Sequence, residues 1–458
     1  MSTGVARAPI VAQGRPLPGR RVLVWSGFAL VFAIAPLIFR SDFSVSILSQ
    51  VAIAIVACLS YNMLLGQGGM LSFGHAVYSG LGTFVAVHAM LAIANGTLPV
   101  PTSLIPFVGG LAGMFFAIIL GYVTTKQAGT PFAMITLGLG ELVTAMALMI
   151  PEFFGGEGGV SANRSAGKSF LGITYGPQIQ VYYLLALYAF VSTAAMFAFT
   201  RTPLGRMLNA VRDNPERVEF IGYSTQRVRF FSFVIAGFFA GIAGGMAALN
   251  FEIATAEVVG AGRSGLYLFF TFLGGATFFF GPIIGAVLMV LGFALFSEVT
   301  KAWQLYLGLI FLFMVMYAPG GIASLIMMNV RVAKYKKLHR LWGWYAGLVA
   351  ASLVMLVGAA ALIEMVYHLQ LGGAGEPTLG YLGVTLDTTS AVTWIGAAVV
   401  FAIGFVALEA TRRRFALAWG AIQMEIESDM TFKEPSPVDV PADLPEHGAA
   451  ASAEAGKP

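Results

Sequence analysis

Long apolar segments constrain this chain more than any other feature of its sequence. A helix needs roughly 20 apolar residues to cross a bilayer, and about twelve runs approach that length. Hydrophobic residues make up 58% of the chain and charged residues only 10%, whereas a soluble domain carries about 25% charged residues. The sequence therefore predicts an all-α polytopic membrane protein. The runs are centred on 22–39, 44–65, 76–95, 104–124, 131–150, 180–200, 230–250, 264–280, 281–299, 302–318, 344–365 and 391–409.

Basic residues in the short loops predict the orientation, because such loops resist translocation and remain cytoplasmic. Basic clusters follow an even number of runs each time, at 15–21, 201–230, 331–340 and 412–414. Both termini are therefore expected in the cytoplasm, with the loops at 151–179 and 366–390 on the outside. The net charge of +4 is small and scattered, which argues against a nucleic-acid partner.

The same pattern predicts how the chain is divided. The first run is retained as a membrane anchor, since no small-residue cleavage site follows it. Beyond about residue 431 the sequence is rich in Pro, Ala and Glu, which is typical of disorder. The predicted divisions are a cytoplasmic N-terminal segment 1–21, a membrane-spanning core 22–328, a basic linker 329–343, a helix pair 344–409 and a cytoplasmic tail 410–458.

A glycine-rich break, GQGGMLSFGHA at 66–76, interrupts two apolar runs and has a rough counterpart in LGGATFFFGPIIGA at 273–286. Paired interruptions predict broken helices beside a substrate path, because non-helical backbone at membrane depth requires protein or water around it. Glycines that only allow close helix packing are the alternative, and His75 alone more often packs than binds. The residues of this break assigned to a path are Gln67, Gly68, Gly69, Ser72 and His75.

Glu141 lies near the middle of the run 131–150. A carboxylate there costs about 2.5–3.5 kcal/mol, so we expect Glu141 to face the protein interior or a wet cavity. Contact with substrate and a structural hydrogen bond to a neighbouring helix are both open interpretations. Thr136, in the same run, carries the same ambiguity at a smaller cost.

The loop at 201–230 has the signals of two short amphipathic helices. Thr202 and Pro203 are typical of a helix start, Asn214 precedes a proline that breaks the first helix, and Gly222 suits a C-terminal stop. Four apolar residues recur at helical spacing and form one stripe. This stripe could lie in lipid headgroups or fill a groove on a soluble partner. It consists of Leu204, Met207, Leu208 and Val211.

The segment ANRSAGKS at 162–169 fits a permissive phosphate-binding loop. Its first glycine is replaced by Ala162, no strand is predicted before it, and the topology places it outside, away from ATP. We therefore reject a nucleotide site here.

Four ordered motifs resemble the membrane subunits of branched-chain amino acid ABC transporters. GRMLNAVRDNPERVEFIGYSTQRVRFFSFVIAGFFAGIAG at 205–244 resembles their coupling-loop region, and LLGQGGMLSFGHAVYSGLGTF at 64–84 their glycine-rich segment. GTPFAMITLGLGEL at 129–142 resembles the LivM-type subunit more than its LivH-type partner, and GGATFFFGPIIGA at 274–286 resembles a family turn. The resemblance implies a core of about ten spans with broken helices, to which the last two runs are an addition.

The resemblance also implies a bacterial inner-membrane transport subunit that is not itself an enzyme. Its expected partners are a LivH-type second permease subunit, two cytoplasmic ATPase subunits, a periplasmic solute-binding protein and membrane lipid. This chain would bind no cofactor and no metal, with ATP on the partner subunits. Family substrates include branched-chain amino acids, other amino acids, urea and small aromatic acids; a self-contained secondary transporter is a remaining alternative. The coupling contact is carried over to Gly205, Arg206, Ala210, Arg212, Asp213, Asn214 and Gly222, with the apolar stripe of Leu204, Met207, Leu208 and Val211 as its buried centre.

Overall fold

The computed structural model describes residues 18–167, 174–318, 320–371, 378–381 and 384–431. Two pairs of short strands, β1 (Val160–Ser161) with β2 (Ile253–Ala254) and β3 (Thr378–Tyr381) with β4 (Val384–Asp387), accompany a helical chain. The helices are α1 (Pro18–Ile38), α2 (Asp42–Gly68), α3 (His75–Ala94), α4 (Ile105–Thr124), α5 (Thr130–Met149), α6 (Pro151–Phe154), α7 (Gln178–Phe199), α8 (Pro203–Asp213), α9 (Pro215–Phe220), α10 (Thr225–Phe251), α11 (Ala261–Gly274), α12 (Gly281–Val299), α13 (Trp303–Tyr317), α14 (Gly321–Lys334), α15 (Trp342–Leu371) and α16 (Ala391–Thr431).

The prediction of an all-α polytopic membrane protein is confirmed. Among the described residues, nine helices are long and apolar enough to cross a membrane, or ten if α13 and α14 form one bent span. The predicted crossing at 22–39 is a shorter apolar helix, Val22–Ile38. The predicted crossing at 264–280 differs more, because α11 ends at Gly274 after only 14 residues. The apolar run continues past that point, and the end of the helix coincides instead with the glycine-rich interruption predicted at 273–286.

The chain divides into two compact units with the boundary between Met327 and Met328. In the first unit, α10 packs against α4, α3 and α2. The approach to α4 is close, since a Cβ on Gly241 would lie 2.3 Å from the carbonyl oxygen of Gly109. Small residues at such contacts let membrane helices pack backbone to backbone. This packing forms the frame on which the elements of the candidate site are mounted.

Arg164 joins the segment after β1 to the end of α10. Its guanidinium donates to the carbonyl oxygens of Tyr175, at 2.8 Å, and Leu249, at 3.2 Å. Its backbone N–H donates to Glu252 Oε1 at 2.8 Å. The segment that matched a phosphate-loop pattern is thus anchored through Arg164 to neighbouring backbone, while its Lys168 and Ser169 lie outside the described residues.

The second unit consists of the rest of α14 with α15 and α16, which pack against each other along their length, and the β3–β4 hairpin. A Cβ on Gly358 of α15 would lie 2.4 Å from the backbone nitrogen of Phe401 on α16. Close approach at a small residue again explains the pairing. The tail predicted to be disordered from about 431 lies outside the described residues.

Candidate functional site

The predicted break is present between α2 and α3. α2 ends at Gly68, and Gly69 adopts a left-handed conformation with φ +63°, which glycine tolerates at a helix C-terminus. The N–H groups of Gly69 and Met70 turn back to the carbonyl oxygens of Leu65 and Leu64 at 3.0 and 2.9 Å. Residues 69–74 then have no regular helix before α3 begins at His75.

Two long-range hydrogen bonds hold this break. The Tyr61 hydroxyl donates to the Ser72 carbonyl oxygen at 2.9 Å, and the Phe73 N–H donates to Thr136 Oγ1 at 3.1 Å. Gly74 lies so close to α5 that a Cβ there would be 2.2 Å from the Thr136 carbonyl oxygen. The structure therefore brings Thr136 together with the break, as a hydrogen-bond acceptor for its backbone.

His75 is fully buried, with Nε2 2.9 Å from Ser60 Oγ and its ring edge-on to Tyr61 at 5.2 Å between centroids. Its Nδ1 and the buried hydroxyl of Ser72 have no hydrogen-bond partner among the described residues. The next residue, Ala76, donates its N–H to Ser264 Oγ on α11 at 2.9 Å. The start of α3 is thus joined to the start of α11.

The second glycine-rich joint meets the first. α11 ends at Gly274, Gly275 has φ +113°, and α12 begins at Gly281. A Cβ on Gly66 would lie 2.1 Å from the carbonyl oxygen of Ala276. The two interruptions identified in the sequence are therefore neighbours in the fold.

The residues at the end of α2 contact α8. The Asn209 amide donates to Gln67 Oε1 at 2.9 Å, and Arg212 donates from Nη1 to the Gly66 carbonyl oxygen. A Cβ on Gly68 would lie 3.1 Å from Leu208 Cδ1 and one on Gly69 2.8 Å from Arg212 Cγ. In the described chain, Gln67, Gly68 and Gly69 therefore connect the break to α8.

The local structure of the 201–230 loop follows the sequence signals. Thr202 Oγ1 accepts the Gly205 N–H at 3.1 Å at the start of α8. Asn214 Oδ1 accepts the Arg217 N–H at 3.0 Å at the start of α9. Gly222, just beyond α9, has φ +88°. The prediction of two short helices with these boundaries is confirmed.

The apolar stripe of α8 packs inside its own chain, and neither lipid headgroups nor a partner's groove is needed to cover it. Leu208 and Val211 are buried, and Leu204 and Met207 pack partly buried against the same core. Their neighbours are α2 and α10. Amphipathicity shows that one face of a helix is covered, but it does not show which surface covers that face. Here the covering surface belongs to the same chain.

The outward face of α8 and α9 carries both charge and exposed apolar side chains. Arg206, Ala210 and Asp213 are exposed, and Asp213 pairs with Arg212 at 2.9 Å. Phe220 is 88% exposed. Together with Ile221 and Tyr223, which are also exposed, it forms what we call the α9 apolar patch.

Glu141 is exposed on α5 and forms no ion pair among the described residues. Of the two environments expected for Glu141, the interior of this chain is not the one observed, because α5 buries another face containing Phe132, Thr136 and Val143. The desolvation cost of Glu141 still calls for a wet cavity or for cover by a surface outside this chain.

Arg263, on the first turn of α11, was not among the residues predicted for the site. Its Nε lies 3.4 Å from the Tyr267 hydroxyl, and its guanidinium carbon lies 5.6 Å from that ring's centroid. The predicted apolar run is centred on 264–280, so Arg263 falls just outside it. Its position between Gly262 and Gly265, directly before an apolar run, was the available signal.

Comparisons with known proteins agree with this architecture. Residues 43–319 match the family described as branched-chain amino acid transport system / permease component. Similar proteins include the high-affinity branched-chain amino acid transport system permease protein LivM of Salmonella typhimurium and that of Escherichia coli, each 27% identical over 303 residues, which is 61% of this chain and 69% of the relative. No solved structure gives a significant match. The family match covers more than half of the chain, so this protein belongs to the permease-component family of branched-chain amino acid transport systems.

Proposed function

We propose that this chain is a membrane permease subunit of an ABC importer for branched-chain or related amino acids. It would form part of the translocation path and transmit ATP-driven motion from cytoplasmic ATPase subunits. ATP would be bound and hydrolysed by those subunits, and this chain would bind no cofactor. The family membership and the names of its LivM relatives support the substrate class.

The observation that carries the proposal is the two-sided construction of the α8–α9 loop. On its inner side, α8 contacts the end of α2 through Asn209 and Arg212. On its outer side, the loop exposes Arg206 of α8 and the α9 apolar patch. A loop that is bound to the break on one face and free on the other suits transmission of a partner's movement.

The outer face also has the composition of a protein interface. Exposed aromatic residues surrounded by charge are typical of docking surfaces, where the apolar centre supplies affinity and the polar rim steers association. The charges near the α9 apolar patch include Glu216 and Arg217. The same proposal includes two further partners, a second permease subunit and a periplasmic solute-binding protein. It places the chain in the bacterial inner membrane with both termini in the cytoplasm.

Co-purification with the ATPase subunits tests this role. We expect Phe220→Ser with Tyr223→Ser to weaken ATPase binding by about tenfold or more, as loss of central aromatic contacts does. Arg206→Glu should reduce association mainly at low salt, because rim charges are screened by ions. Lys126→Glu, an exposed charge in the loop between α4 and α5, is the matched control.

The alternative is that the same face lies in lipid headgroups. In that case the variants would lose affinity for anionic liposomes while ATPase binding in detergent stayed normal. Unchanged ATPase binding by both variants would contradict the proposed docking role.

A further inference from the structure

Two opposite charges lie on elements next to the break, and neither has a counter-charge among the described residues. Neither Glu141 on α5 nor Arg263 on α11 forms an ion pair among the described residues. The only hydrogen bond of the Arg263 side chain among those residues is with Tyr267. Unpaired charges at membrane depth are costly and usually face a polar path or a partner.

The two charges lie on contiguous elements. Gly140, next to Glu141, approaches the break so closely that a Cβ there would be 3.7 Å from Gly74 Cα. One turn further along α5, Thr144 Oγ1 would lie 3.9 Å from a Cβ on Gly260, directly before α11. Ser264, next to Arg263, is hydrogen-bonded to Ala76 at the start of α3. The break, α5 and the first turn of α11 therefore form one region.

This region lies within the depth of the membrane. His75, at the start of α3, contacts Ser60, which is well inside the 27-residue helix α2. α11 has 14 residues, or about 21 Å at 1.5 Å per residue, and is too short for a hydrocarbon core of about 30 Å. Its N-terminal backbone has no side-chain cap, and such backbone at this depth requires protein or water beside it.

One face of α11 is also open. A Cβ on Gly262 or Gly265 would meet nothing within 4 Å. The hydroxyl of Ser72 and Nδ1 of His75, in the adjoining break, are buried without a hydrogen-bond partner among the described residues. The open glycine face, the two unpaired polar atoms and the two charges therefore lie on the same contiguous elements.

We propose that Arg263 binds the carboxylate, and Glu141 the ammonium group, of a zwitterionic amino acid passing the break. A guanidinium can hold a carboxylate through two parallel N–H donors. The uncapped start of α11 carries partial positive charge that favours the same anion. The substrate supplies the counter-charges that the described residues do not provide, and the open glycine face leaves room for an apolar side chain. This inference rests on the proposed function of amino-acid import.

Thiol labelling of the assembled complex tests whether the α11 face lines the path. Cys58, the one cysteine of this chain, is buried, so the unmodified chain gives the background. We expect a charged, membrane-impermeant methanethiosulfonate to label Gly265→Cys, and leucine with its binding protein and ATP to slow labelling several-fold. Gly308→Cys on α13, whose Cβ also meets nothing within 4 Å, is the matched control and should show no leucine effect. Failure to label Gly265→Cys, or labelling insensitive to leucine, would indicate a closed subunit contact and overturn the proposal.

Import by proteoliposomes containing the whole complex tests the charges. Arg263→Gln should lower leucine import by about ten- to a hundredfold, the loss expected for charge-assisted hydrogen bonds. Arg263→Lys should retain more import than Arg263→Gln, and Glu141→Gln should be impaired because a neutral amide accepts a hydrogen bond from the ammonium group but forms no ion pair with it. Lys126→Gln, which removes a cation 4.6 Å from the Tyr122 ring centroid, is the control.

Stimulation of ATP hydrolysis by the loaded binding protein separates substrate contact from a structural role. The proposal expects stimulation to persist in Arg263→Gln while import falls; parallel loss of assembly, stimulation and import would favour a structural role and contradict it. If the wild-type complex imports leucine and Arg263→Gln imports equally well, this inference is wrong and the proposed function stands. If the wild-type complex imports neither leucine nor any other amino acid, substrate protection of Gly265→Cys will also be absent and both proposals fail.

Discussion

The side-chain amide of Asn209 on α8 donates a hydrogen bond to Gln67 Oε1 on α2 across 2.9 Å. The two residues join the loop that faces outward to the last turn before the break. Arg212 adds a second connection by donating to the Gly66 carbonyl oxygen, and Gly66 in turn lies against Ala276 in the other interruption. Direct contacts therefore connect α8 to both broken helices.

Enlarging Gly68 should disturb this connection. A Cβ on Gly68 would already lie 3.1 Å from Leu208 Cδ1, so Gly68→Leu should push α8 away from α2. We expect transport-linked ATP hydrolysis in proteoliposomes to fall by about three- to thirtyfold, the range for loss of energetic coupling, with normal membrane abundance. Gly27→Leu, at an open position on α1, serves as the control. Normal activity in Gly68→Leu would show that this contact only fills space.

Gly74 should tolerate an added methyl group far less well than Gly140, its neighbour across the contact between the break and α5. A Cβ on Gly74 would lie 2.2 Å from the Thr136 carbonyl oxygen, whereas one on Gly140 would lie 3.7 Å from Gly74 Cα. Gly74→Ala should therefore lower stability by about 1–3 kcal/mol through overpacking, and Gly140→Ala should be nearly neutral. Thermal unfolding in detergent measures the difference. Equal stability of the two variants would contradict the described contact between the break and α5.

The hydrogen bond from Phe73 to Thr136 provides a test of the same interface by deletion. Thr136→Val keeps the shape of the side chain but leaves the Phe73 N–H unpaired, which should cost about 1–3 kcal/mol. Thr136→Ser keeps the acceptor and should be milder. Denaturation midpoints of the two variants and the wild type supply the comparison, and a Val variant as stable as Ser would argue that water replaces the bond.

Arg164 should contribute to stability without contributing to nucleotide binding. Its guanidinium donates to the carbonyl oxygens of Tyr175 and Leu249, so Arg164→Ala should destabilise the protein by about 1.5–3 kcal/mol. Arg40→Ala, which removes one exposed bond to the Leu37 carbonyl oxygen, should have little effect. Thermal unfolding measures both variants. Saturable ATP binding by the purified wild-type chain, lost in Arg164→Ala, would instead revive the phosphate-loop interpretation.

The sequence was most informative where the signal was local. Helix capping and chain reversal could be predicted from residue type, because the interactions involved lie within one or two turns of the residue itself. Examples are Thr202, Asn214 and the glycines of the break. The apolar runs predicted the helices because crossing a bilayer imposes a minimum length on each. The family resemblance rested on the order of such local motifs and was confirmed.

Features that depend on distant packing could not be predicted in this way. The stripe containing Leu208 and Val211 could have been covered by lipid, by a partner or by this chain, and periodicity does not distinguish these surfaces. Glu141 needed a covered environment, but the face that α5 buries is fixed by contacts with α3 and the segment before α11. Arg263 became noticeable only when the end of α11 at Gly274 showed that its apolar run was not a complete crossing.

The ratio of leucine imported to ATP hydrolysed tests the central claim most directly. We would measure it in proteoliposomes of the assembled complex for Gln67→Leu, Asn209→Leu and the double variant, with Gln127→Leu in the exposed loop between α4 and α5 as control. The account predicts that each single variant lowers the ratio, that the double variant is no worse than either, since both remove one shared interaction, and that the control is normal. A normal ratio in both single variants, or additive losses in the double variant, would contradict transmission through the contact between Asn209 and Gln67.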